Sequence, residues 1–164
     1  MTASVLIFAI GNESRGDDAL APLLVRELEG WAETAGLGKQ VELIEDYQLQ
    51  VEHVTDLLGR NSVVFVDADV SCTGQFLFSE IAAVKDSSYT SHMMTPFALL
   101  HTYRQVYGAD APPAFLLRIR GYNFELGDSL SEKASANLEA ATKLVRELCI
   151  ETSLQRWREH LVNA

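Results

Sequence analysis

The sequence predicts an α/β domain: a three-layer sandwich whose mostly parallel, twisted sheet of about five strands carries helices on both faces. One antiparallel edge strand is expected. Two runs, SVLIFAI (4–10) and SVVFVDADV (62–70), are continuously apolar and rich in β-formers, as strands buried on both faces are. Such runs alternate along the chain with segments of helical spacing, which is the pattern of βαβ units. The 164 residues, 48% apolar and 22% charged, suffice for one domain with a real core and no staples.

Each element has its own warrant. After the first strand, Leu20, Leu23, Leu24, Leu28 and Trp31 fall at helical spacing over 18–33, with Asp17 or Asp18 placed to cap the start. Gly36 and Gly38 end that helix, and VELIED (41–46) reads as the second strand. QVEHVTDLL (50–58) is a short helix closed by Gly59, and 62–70 is the third strand. After the CTG turn (72–74), QFLFSEIAAV (75–84) is expected to pair beside the third strand as the antiparallel edge. KDSSYTSHM (85–93) is the longest loop-like stretch, a place where functional groups concentrate. Thr95 as cap and Pro96 at the first helical position start a helix over 95–107. AFLLRIRG (114–121) is a further strand, and 129–150 a long amphipathic helix. Residues 1–150 are expected to form the domain and 151–164 a helical tail, in which Leu154, Trp157 and Leu161 make a stripe suited to self-packing.

The composition excludes several functions. A net charge of −10 argues against nucleic acid or an anionic membrane as partner. Two cysteines, Cys72 and Cys149, are too few and too far apart for a disulfide framework or a zinc ribbon. No apolar run approaches the ~18 residues that span a bilayer. The N-terminal MTASVLIFAIGNE lacks a basic stretch and reads as a strand, not a signal peptide. The expectation is a cytoplasmic protein with no membrane partner.

In a mostly parallel sheet, ligands sit beyond the carboxyl ends of the strands. Asp17 and Asp18 follow the first strand there, Asp46 ends the second, Asp67 and Asp69 end the third, and His92 lies in the loop before a helix. Converging acids repel unless a cation or a shared proton offsets them, and a divalent ion held by carboxylates and one imidazole is the simplest resolution. Ordinary roles compete: Asp17 or Asp18 as a helix cap, Asp46 as a cap of the next helix, Asp69 in a turn, His92 on the surface. Asp67 is hardest to dismiss, because a carboxylate ending a buried strand needs a partner. His53 and His101 read as ordinary surface or core histidines. The turn GNESRG (11–16) resembles a phosphate loop in shape, but Asp17–Asp18 stands where that loop needs lysine and a hydroxyl.

Three ordered motifs then carry a family resemblance. IGNESRGDD (10–18), VVFVDADV (63–70) and SHMMTPFALL (91–100) match the strand-turn with a double acid, the strand ending in Asp-Ala and the loop histidine before a helix. In these the chain resembles the maturation endopeptidases of [NiFe] hydrogenases, from about Val5 to Leu148. The segment EDYQLQVEHVTDL (45–57) is similar to the subgroup serving NAD-reducing, bidirectional hydrogenases. The resemblance implies a peptidase that removes the C-terminal extension of a hydrogenase large-subunit precursor. It implies nickel, arriving with that substrate, contacted by Asp18, Asp67 and His92; another divalent ion could take the place in isolated protein. Asp67 or Asp46 is the expected catalytic base, Glu13 and Asp17 the expected substrate contacts, and the protein a monomer. Two departures stand out. Ala19-Leu20-Ala21-Pro22 replaces a Gly-x-Gly, and RIRGYNFELGDSLS (118–131) keeps only Gly127, Leu130 and Ser131 of a later pattern. Two rival functions stay open on the same residues: a non-proteolytic nickel-delivery module, and a metal-dependent peptidase with another substrate.

Overall fold

Val5–Ile10 forms β1, an interior strand of the sheet, whose alternate side chains enter two different cores. The computed structural model describes residues 2–85 and 94–161. β1 pairs in parallel with β2 (Val41–Asp46) on one side and β3 (Ser62–Asp69) on the other. β5 (Ala114–Arg120) pairs in parallel with β3, and β4 (Phe76–Ile81) closes the edge antiparallel to β5, giving the order β2-β1-β3-β5-β4. The antiparallel edge strand is therefore present but displaced from its expected place. It lies beside β5, because the more apolar β5 takes the doubly covered position next to β3.

Helices cover both faces. α1 (Leu20–Thr34) and α3 (Glu132–Ile150) pack on Val5, Ile7, Val64, Val66, Phe115 and Leu117. On the other face, α2 (Pro96–Tyr107) and a 3-10 helix (Val51–Leu57) cover Leu6, Phe8, Val63, Phe65 and Leu116. Thr95 caps α2 through its hydroxyl, which accepts from the Ala98 N–H at 3.1 Å, and Ser131 caps α3 in the same way. α4 (Leu154–Glu159) returns along the α1/α3 side and buries Trp157 completely against Phe115, ring centroids 5.2 Å apart. Among the described residues no helix is long and apolar enough to cross a membrane.

The topology fixes where a site can form. From β1 the chain passes to β2 on one side, then to β3 on the other, so the connections diverge at the carboxyl ends of β1 and β3. This divergence opens a crevice in an otherwise covered sheet.

Candidate active site

The turn after β1 has two glycines that its geometry requires. At Gly11 a Cβ would overlap the carbonyl of Asp18, and at Gly16, where φ is 53°, it would overlap the carbonyl of Asn123. The turn therefore folds back on itself and onto the loop after β5 simultaneously. Gly16–Ala19 forms a 3-10 turn, and α1 begins only at Leu20. Pro22 is tolerated because first-turn N–H groups lack helical partners in any case.

Asp17 corrects two expectations. It does not cap α1, since no side-chain cap bond forms there, and it is not available to a substrate, being fully buried. Its carboxylate instead accepts four hydrogen bonds from the loop after β5: from the N–H groups of Tyr122 (2.7 Å), Asn123 (3.1 Å) and Ser131 (2.8 Å), and from the Ser131 hydroxyl (2.9 Å). Burial opposes its charge, but these donors outweigh burial and hold the carboxyl below its ordinary range. Asp17 thus clamps the turn so that its neighbour is held in place. Ser131, which caps α3 and donates to Asp17, is the connection that sequence reading missed; its place in a family-like pattern was the available signal.

Asp18 is left facing the crevice. Its Oδ2 accepts from the Asn12 N–H at 2.8 Å, and burial raises its pKa. It lines a cleft of about 330 Å³ with Gly11, Tyr47, Asp67 and Thr95 at the carboxyl ends of β1 and β3. Asp67 stands in register with Ile10 of β1 and with Arg118 of β5, in one transverse row. Burial, then the charge of Asp18, pushes the Asp67 carboxyl up to about 7, against the Ala68 N–H and the Arg118 guanidinium, which favour ionisation. The amino end of α2 lines the same cleft through Thr95 and Pro96, so its dipole offers partial positive charge to the two acids. Asp69 is the last residue of β3, still within the strand and not in the turn expected for it. Its carboxylate is taken up by the Ser71 N–H and hydroxyl at 2.8 and 2.7 Å.

Asp46 extends the same row on the far side of β1, opposite Ile10. The Tyr47 N–H donates to its Oδ1 at 2.7 Å, and the ring Nε2 of His53 lies 3.1 Å from its Oδ2. It borders a second cleft, next to the first, with Gly11 and Tyr47 common to both. Glu13 lines this second cleft and is bound in fork geometry by Arg26, which also reaches Glu45 at 3.3 Å. His53, an ordinary histidine by its sequence setting, is bound to a site carboxylate. Its spacing seven residues beyond Asp46, across a turn into a short helix, was the clue.

Asp18 and Asp67 fit a divalent cation: two carboxylates in one cleft, each disfavoured as an anion by burial, one further disfavoured by the other. Among the described residues no group of three potential ligands forms, and His92 lies outside the described residues. Both cysteines are free and buried, Cys72 with its thiol toward the Arg118 carbonyl at 3.5 Å. Burial raises both thiols, Cys149 to about 12, so neither is a ready nucleophile.

The architecture recurs in solved structures. The [NiFe] hydrogenase maturation protease HycI from Thermococcus kodakarensis superposes with a TM-score of 0.68 at 21% identity, over 92% of this chain and 94% of that one. The hydrogenase maturating endopeptidase HybD from E. coli gives 0.69 at 18% identity, over 91% and 93%. The chain has the fold of the [NiFe] hydrogenase maturation proteases. A hydrogenase 2 maturation peptidase from a Thaumarchaeota archaeon matches at 25% identity with a TM-score of 0.60, over 87% of this chain and 96% of that one. No family model matches the sequence, and no curated protein sequence does.

Proposed function

We propose that the protein is an endopeptidase that trims the C-terminal extension of a [NiFe] hydrogenase large-subunit precursor, recognising nickel already bound to that precursor. The observation that carries the reading is the placement of Asp18 and Asp67 in one cleft, at the switch point of a fold shared with maturation endopeptidases. Asp18, Asp67 and His92 would contact the nickel, which enters as part of the substrate and brings its softer ligands with it.

The hydrolytic step needs a proton acceptor. Asp67 is committed to the cation in this reading, and a carboxylate oxygen engaged with a cation has fewer lone pairs to offer to water. Asp46 stands in the same row, outside that pair. Its carboxylate takes a proton from water as the water oxygen adds to the scissile carbonyl; the same proton then passes to the departing amine, leaving a carboxylic acid and a free amine. Glu13, on the rim of the neighbouring cleft and fixed by Arg26, meets the incoming peptide.

The test is direct. Purified protein incubated with a large-subunit precursor should release one C-terminal peptide, seen by mass spectrometry. Asp67→Asn and His92→Ala should each abolish release while far-UV circular dichroism stays unchanged. Wild-type release by both variants would remove those residues from the site.

A further inference from the structure

We infer that His53 is a positioning residue for Asp46, fixing the carboxylate through a ring whose tautomer is set by the backbone. The inference rests on the peptidase reading above and assigns a part of that site which the proposal leaves open.

The geometry leaves the ring little freedom. Nδ1 of His53 accepts from the Gln50 N–H at 2.9 Å, so the neutral ring carries its proton on Nε2. That proton points at Asp46 Oδ2, 3.1 Å away. The ring stands edge-on to Phe8, centroids 4.8 Å apart with an interplanar angle of 78°, and Phe8 is fully buried in the core beneath. His53 thus has a hydrogen bond at each nitrogen and an aromatic wall at its side. With both nitrogens occupied it has no site left to accept a proton from substrate, so it is not itself the base. The side chain of His53 is 13% exposed, that of Asp46 40%. One partner is built into the fold and the other meets solvent at the cleft, the division of labour expected of an orienting group and the group it orients.

Asp46 receives one donor on each oxygen, the Tyr47 N–H on Oδ1 and the His53 ring on Oδ2. Each oxygen keeps a second lone pair for water or substrate. The pair of donors removes rotation about the carboxylate, which is the usual way a scaffold holds a proton acceptor in a productive direction.

The experiment separates kcat from KM for precursor processing in wild type, His53→Leu, His53→Gln, Asp46→Asn and the double variant H53L/D46N. His53→Leu should lower kcat by about 10- to 100-fold with KM changed less than about twofold, as loss of an orienting partner does. His53→Gln, whose amide can still donate to Asp46, should recover most of that loss. The double variant should be no slower than Asp46→Asn alone, because His53 acts only through Asp46. A wild-type kcat in His53→Leu, equal losses in the Leu and Gln variants, or losses that multiply in the double variant would each overturn the inference. Independently of activity, ¹⁵N NMR of the wild-type ring should show the Nε2-protonated tautomer, and an Nδ1-protonated ring would overturn it too. Wild-type protein that cleaves no precursor sinks the peptidase reading itself. An active wild type with an unimpaired His53→Leu sinks the inference alone.

Discussion

The Ser131 hydroxyl donates to Asp17 Oδ2 at 2.9 Å while accepting from the Ala134 N–H, so one side chain both caps α3 and locks the turn that follows β1. Two segments more than a hundred residues apart are thereby joined at a fully buried carboxylate. Asp17→Ala strips the partner from three backbone N–H groups and should cost about 3 kcal/mol in urea unfolding. Because the Asp17 carboxyl is held below its ordinary range, its contribution is present above the unfolded-state pKa and is lost as pH falls through the lower folded value. Wild type should therefore lose this increment on acidification, and Asp17→Ala should show a shallower acid dependence. Parallel acid profiles would contradict the clamp.

Asp67 has the opposite sign. Its folded pKa of about 7 lies above the unfolded value of about 3.9, so between these the folded state holds a proton that the unfolded chain has released. Stability of the metal-free protein should fall as pH rises through that window. Asp67→Asn removes the penalty, and with chelator present it should be more stable than wild type by about 2–4 kcal/mol at pH 8 and nearly equal at pH 4. A difference that does not change with pH would show that Asp67 is not strained by burial.

A divalent ion should relieve the same strain. Nickel at about 100 times its dissociation constant stabilises a single-site protein by about 2.7 kcal/mol, a rise in Tm readily seen by calorimetry. Asp18→Asn and Asp67→Asn should each abolish the rise, whereas Asp69→Asn, whose carboxylate is already taken up by Ser71, should keep it. Retention of the shift in the Asp18 and Asp67 variants would place the ion elsewhere.

The tail belongs to the core. Trp157 is fully buried, and its Nε1–H reaches the carbonyls of Leu148 and Glu151, both at 3.0 Å, closing the end of α3. Trp157→Ala should cost about 3–5 kcal/mol in chemical unfolding. A loss below about 1 kcal/mol would mean that α4 is dispensable to the fold.

Much of this was legible in the sequence. Unbroken apolar runs announced β1 and β3, and Thr95-Pro96 announced α2, because burial and capping are local demands on residue type. The acids at strand ends were legible because parallel sheets gather their ligands at that edge. Three features were not. The place of β4 depended on β5 competing for the buried position beside β3, a comparison between distant segments. Asp17 looked like a cap because Asp before a helix usually is one; only the fold brings Tyr122, Asn123 and Ser131 to it. His53 looked ordinary because its meaning lies in which side of a 3-10 helix faces the end of β2. His92, the third expected nickel contact, lies outside the described residues and stands as a proposal.

The central claim is that cleavage follows recognition of nickel in the precursor. The measurement is a time course of precursor processing by the purified protein, with nickel-loaded and nickel-free large subunit side by side. The nickel-loaded precursor should lose its C-terminal extension and the nickel-free one should remain intact. Equal cleavage of both would contradict the nickel checkpoint.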